Sequence, residues 1–121
     1  MNDSALIARA KETRRSWYPV SDSKRLRLEA MTDGAFRRFC QTLDGDVVDL
    51  LPARVVVGWD GFTESDIDPH GSDEPLKFSA PLFAEWMDSH QEHLVPLFDA
   101  CWAACKDSQD RLAQITEKPK P

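Results

Sequence analysis

Two histidines and two cysteines stand close together in the second half of the chain, as His90-x-x-His93 and Cys101-x-x-x-Cys105, and these are the side chains that hold a structural zinc ion. A zinc knuckle needs a turn between its paired cysteines. A spacing of four instead puts both thiols on one face of a helix. Both belong to an apolar stripe, Leu94, Leu97, Phe98, Cys101, Trp102 and Cys105 at i, i+3, i+4, i+7, i+8 and i+11, so they read as small buried hydrophobes. The histidines then read as surface residues. A second cluster, Asp66, Asp68, His70, Asp73 and Glu74, offers oxygen ligands of the kind calcium takes. It lacks the Asp-x-Asp-x-Asp-Gly spacing and the distal glutamate of a calcium loop. A solvated, flexible acidic loop is the better reading.

Nucleophilic catalysis finds no foothold. There is no Gly-x-Ser-x-Gly elbow and no cysteine in a glycine-rich turn with a partner histidine. With five glycines in all, there is no phosphate-cradling loop and no dinucleotide fingerprint. The chain reads as non-enzymatic, with no catalytic residue, metal or cofactor expected. What remains is aromatic: Trp17, Tyr18, Trp59, Phe62, Phe78, Phe83, Trp86, Phe98 and Trp102 are many large rings for a chain of 121 residues. Most must build the core. Those offered as partner anchors are Phe83 and Trp86, beside the acidic loop, and Trp17 and Tyr18, in a basic hairpin, because binding hot spots favour large aromatic rings.

The elements that carry these residues follow from local signals. Asn2, Asp3 and Ser4 can cap a short helix bearing Leu6, Ile7 and Ala10, whose thin apolar stripe must borrow stability from packing or a partner. Leu26, Leu28 and Ala30 alternate with Arg25, Arg27 and Glu29, the period of a half-buried strand. Trp17 to Val20 pairs with it through the turn Ser21 to Lys24, and Pro19 makes that first strand an edge. Thr32 caps a helix with Phe36, Phe39, Cys40 and Leu43 on one stripe, ended by Asp44-Gly45.

From Asp46 the helical period resumes, through Val48, Leu51, Pro52, Val55, Val56 and Trp59. This predicts a helix that starts near Asp46 or restarts at Pro52 and stops at Gly58 and Gly61. The competing reading makes the valines a short strand, as their β-branched side chains favour. Residues 63–77 form a polar loop longer than compact domains usually carry. Ser79 caps a helix with Leu82, Phe83, Trp86 and Met87. A last helix starts near Leu94 and runs on toward Leu112 or Ile115. The fold class is therefore α+β and mainly α-helical, with four to five helices packed on a small N-terminal antiparallel hairpin. One domain spans 1–115, and 116–121 form a mobile C-terminal tail.

Composition narrows the partners. A net charge of −6 and a pI near 5.0 argue against a general nucleic-acid or anionic-membrane binder, which needs a basic footprint. Mean hydropathy is −0.48. Residues 1–38 hold nine Lys/Arg against five Asp/Glu, and residues 44–110 hold three against fifteen, so +4 faces −12 along the chain. Such polarity suits docking between copies or onto a partner. Three cysteines, with no apolar leader before them, are expected as free thiols in a reducing cytoplasm.

The order of features resembles a known family. A basic and aromatic hairpin, a helix opened by Thr32-Asp33, the run Val56, Trp59, Gly61, a polar loop, and a helix start at Phe78, Ser79 and Pro81 are similar to the small tail assembly chaperones of long-tailed bacteriophages, over about residues 14–105. The resemblance implies a non-enzymatic protein in the host cytoplasm that binds the tape measure protein and helps recruit tail tube protein. It further implies self-association into a multimer and absence from the mature virion. A competing reading is a small acidic inhibitor or regulator of a basic protein partner, using the −12 segment as its face.

Overall fold

Short-range pairing builds the first layer. In the computed structural model, which describes residues 3–43 and 45–116, β1 (Arg15–Pro19) and β2 (Arg25–Glu29) form an antiparallel hairpin with Trp17 opposite Arg27 and Tyr18 opposite Leu26. Leu26 and Leu28 point inward and are 0% and 2% exposed. Pro19 sits on the edge strand, where its missing N–H disrupts no ladder. Before the hairpin, α1 (Asp3–Thr13) buries none of its residues. It is tied down at its C-terminal end, where Glu12 bridges Arg15 and Arg27 at 2.8 Å each and Arg14 Nε donates to the Ala30 carbonyl at 3.0 Å.

Two of the expected caps are in place. Thr32 opens α2 (Asp33–Gln41), its hydroxyl accepting from the Ala35 amide at 3.2 Å, and Ser79 opens α4 (Ala80–Ser89), its hydroxyl accepting from the Leu82 amide at 3.3 Å. Each satisfies one of the amides that a helix start leaves without an intrahelical partner. Along α2 only Phe36 is buried; Cys40, on the predicted apolar stripe, is exposed. The helix ends at Gln41, the Thr42 amide donating to the Arg38 carbonyl at 2.9 Å, so it stops short of Leu43 and of the predicted stop at Asp44-Gly45; Asp44 lies outside the described residues, and Gly45 has φ +127°.

Residues 56–60 depart from the helical expectation. The helix α3 runs from Val47 to Val55, its Asp46 carboxylate accepting from the Val48 amide at 2.9 Å, and the chain then turns straight into a strand, β3 (Val56–Asp60). The helical reading therefore fails from Val56 on, and the strand reading takes its place. Three consecutive β-branched side chains crowd a helix, whereas the open edge of β2 offers a ladder to each amide and carbonyl. The sheet thus has three strands in the order β1-β2-β3, all antiparallel. Arg27 faces Gly58 and Leu28 faces Val56, so Val57 is the extra residue of a bulge and stays 39% exposed.

Gly61 follows with φ +85° and lies against the hairpin turn, where a β-carbon would come within 1.9 Å of the Ser23 carbonyl oxygen. That close approach delivers Phe62 into the core at 2% exposure. The acidic loop is exposed along most of its length, as its composition predicts, and folds back on itself. Thr63 bridges to Pro75, Leu76 N–H donates to the Phe62 carbonyl at 2.9 Å, and Ser65 N–H donates to the Ser72 carbonyl at 3.1 Å.

The long helix α5 (Leu94–Thr116) packs chiefly on α3 and also touches α2, β1 and β2. Its Leu97, Cys101 and Cys105, at successive i+4 steps, are all 0% exposed. Thr116, assigned by the sequence to a tail, is the last residue of α5; the rest of that predicted tail, 117–121, lies outside the described residues. Among the described residues no helix is long and apolar enough to cross a membrane. The architecture is α+β, mainly helical, with the helices packed on a small antiparallel sheet.

Candidate partner-binding cleft

The aromatic residues settle most of the site assignments. Trp86 is 2% exposed and sits at the hub of a ring cluster, with Phe62 at 5.3 Å, His90 at 4.9 Å and His93 at 5.4 Å between centroids. Trp59 stacks on Phe62 at 4.4 Å and donates its indole N–H to the Leu76 carbonyl at 2.7 Å. This explains the histidines: they cap a buried indole, and His90 Nδ1 also bonds the Trp86 carbonyl at 2.9 Å. Among the described residues no three His, Cys, Asp or Glu side chains are grouped to hold a metal ion.

Three carboxylates of the acidic loop are engaged within the fold. Asp66 accepts from the Thr63 amide at 2.8 Å and pairs with Lys24 at 3.3 Å; Glu64 accepts from the Ser72 hydroxyl at 2.8 Å. Asp68 accepts from the His70 amide at 3.0 Å. Such bonds shape a loop and leave fewer oxygens for an outside ligand.

Burial pushes the Cys101 thiol up to about 12, with nearby Cys105 adding to the shift, and Cys105 is raised chiefly by burial as well. Since the thiolate is the reactive form, both are inert in the folded protein. Cys40 is the exposed thiol. A maleimide reagent should label one cysteine per native chain, Cys40, and all three after unfolding, as read by intact mass.

The four proposed anchor residues do not share a surface. Trp17 is 38% exposed on the outward face of the sheet, with the Arg25 guanidinium 3.8 Å and that of Arg27 4.9 Å from its ring centre. Tyr18 points the other way, half-buried toward α5, and its pKa is raised by burial and then by Cys101. Phe83, 4% exposed, and Trp86 are core residues. As the chain is folded, neither can be a protruding anchor. The outward basic face is also largely neutralised from within: Arg15 pairs with Glu29 at 2.9 Å, Arg25 with Asp60 at 3.3 Å and Arg27 with Glu12 at 2.8 Å.

Phe83 does reach one feature that can take a ligand. It forms part of the floor of a cleft of about 260 Å³ between α3, α4 and the start of α5, together with Pro52, Val56, Phe78, Met87 and Leu94. The mouth is set by small residues, Ala53 on α3 and Ala80 and Ala84 on α4, and its lips carry Asp49, Asp88 and Gln91. Ala53 also borders a second hollow, lined by Phe39, Leu43 and Leu50, so the exposed face of α3 is a ridge between two apolar depressions. Leu50 on that ridge is 37% exposed.

Sequence reasoning missed Asp49, Ala53, Ala84 and Asp88, which look like ordinary solvated helix positions. The signal was the i, i+4, i+8 row Ala80, Ala84, Asp88. Two small side chains and one charge in line let another backbone approach closely and meet a cation at the end. An apolar floor with convergent carboxylates suits the apolar face of a helix with basic flanks. Comparison with protein families, with curated proteins and with solved structures finds no match to this chain.

Proposed function

We propose that the chain is a binding protein that takes amphipathic helical segments of a larger partner into the α3–α4–α5 cleft, and that it serves as a tail assembly chaperone for the tape measure protein of a long-tailed bacteriophage. It works in the cytoplasm of the host bacterium, helps recruit tail tube protein, and leaves before the virion is complete. The observation that carries this reading is the cleft itself: buried Pro52, Val56, Phe83 and Met87 below, alanines at the mouth, Asp49 and Asp88 at the lips. A tape measure is a long helical protein that must be kept soluble and then released. A shallow apolar groove gives moderate affinity that can be stripped off, because only one face of the client is buried.

The acidic-inhibitor reading gains less. Asp66 and Glu64, central to its surface, already serve the loop. Binding through exposed carboxylates alone would also fade with salt, while burial of apolar surface would not. Co-expression with a helical tape measure fragment, followed by light scattering, tests the reading. The fragment should stay soluble and co-purify with the chain at raised ionic strength. No complex and no solubilisation would sink it.

A further inference from the structure

Asp88 stands where a helix disfavours a carboxylate. It lies in the last turn of α4, the negative end of the helix macrodipole, and no basic residue shares that turn. Asp88 is exposed at the lip of the cleft and makes no ion pair among the described residues. Such a conflict, with nothing inside the chain to offset it, is where a partner's cation is expected. Asp49 borders the same cleft from α3, so the field at its mouth favours positive charge. The hollow on the other side of α3 has the opposite sign. It measures about 330 Å³, it is walled by Phe39, Leu43 and Leu50, and its charged residue is Arg54, which also makes no ion pair among the described residues. Ala53 lines both hollows, and a side chain that small lets another helix cross α3 closely.

We infer that a client helix is read by charge as well as by shape: it crosses α3 with one apolar side chain in each hollow, a basic residue over Asp49 and Asp88, and an acidic residue beside Arg54. This rests on the reading of the cleft as a helix-binding groove and names which helices fit it. A helix is about 10 Å across and rises about 1.5 Å per residue, so side chains that straddle α3 stand about seven residues apart. Charges three or four residues outside those anchors lie on the same face. The occupant is thus a dipolar amphipathic helix, apolar at i and i+7, basic at one end and acidic at the other. A helix with basic residues at both ends meets Arg54 with a like charge, and one with acidic residues at both ends meets Asp49 and Asp88 likewise.

Fluorescence anisotropy with three labelled helical peptides tests this. All carry leucines seven residues apart, and their flanks are Lys and Glu, Lys and Lys, or Glu and Glu. The Lys and Glu peptide should bind tightest, by about fivefold over either other, the factor that turning one rim attraction into repulsion gives. The gap should narrow at raised ionic strength while binding itself persists. Arg54→Glu should reverse the order, so that the Lys and Lys peptide binds tightest. Equal binding of all three peptides, or an Arg54→Glu variant that keeps the parent's order, would overturn the inference. Ala84→Trp, which fills the cleft from an exposed position, separates the two readings. If it abolishes the binding of three peptides that otherwise bind alike, only the charge rule fails; if it leaves binding unchanged, the cleft reading falls as well. Self-association of the chain that is lost in Ala84→Trp would assign the hollows to a second copy and likewise overturn the inference.

Discussion

Trp86→Ala should lower the free energy of unfolding by about 3–5 kcal/mol, the range for removing a large buried ring from a core. The magnitude follows from what surrounds the indole. It is 2% exposed and contacts Phe62, Phe83, His90 and His93, so its removal leaves a cavity between α4, the turn Gln91–His93 and Phe62. A domain with roughly 5–15 kcal/mol of stability loses a large share of it. Urea unfolding followed by far-ultraviolet circular dichroism measures the change, with the midpoint falling and the slope preserved. A surface anchor would behave in the opposite way: stability within about 0.5 kcal/mol of the parent and loss of partner binding.

Gly61→Ala should be of similar severity for a different reason. At φ +85° an alanine occupies a left-handed conformation that costs it about 1–2 kcal/mol, and its β-carbon would stand 1.9 Å from the Ser23 carbonyl oxygen. That oxygen belongs to the backbone of the hairpin turn, so relief requires the turn and the end of β3 to separate. Together these effects should amount to about 3 kcal/mol or more and lower the melting temperature by roughly 10–20 °C. Gly58→Ala is the control. Gly58 has no left-handed φ, and a β-carbon there would meet only the Arg27 Cβ at an ordinary 3.6 Å. Its effect should stay within about 1 kcal/mol.

What could be read from the chain was what local chemistry determines. The Thr32 and Ser79 caps act over three residues, and the alternation in β2 is visible within the strand itself. Both are therefore legible. Val56 to Asp60 was not, because two non-local facts decide it: the partner strand lies some thirty residues earlier, and the bulge at Val57 breaks the period of two. By coincidence Val56 and Trp59 also continue the helical stripe of α3, so the pattern pointed to the wrong element.

The site was hidden for the same reason. Phe83 and Trp86 announce themselves by size, yet size does not say whether a ring faces solvent or Phe62. The cleft joins Asp49 and Ala53 to Ala84 and Asp88 across two helices separated by the strand β3 and the acidic loop. Each is unremarkable alone. Their meaning comes from the packing of α3 against α4, which no local spacing encodes.

We propose that the cleft, and not the acidic loop or the outward sheet face, receives a helical client. Amide chemical-shift mapping tests it most directly, by titrating the labelled protein with a helical tape measure fragment. Shifts should concentrate at Asp49, Ala53, Ala84, Met87 and Asp88, with residues 64–74 and Trp17 unmoved. Shifts centred on the acidic loop or on Trp17, or no shifts at all, would contradict it.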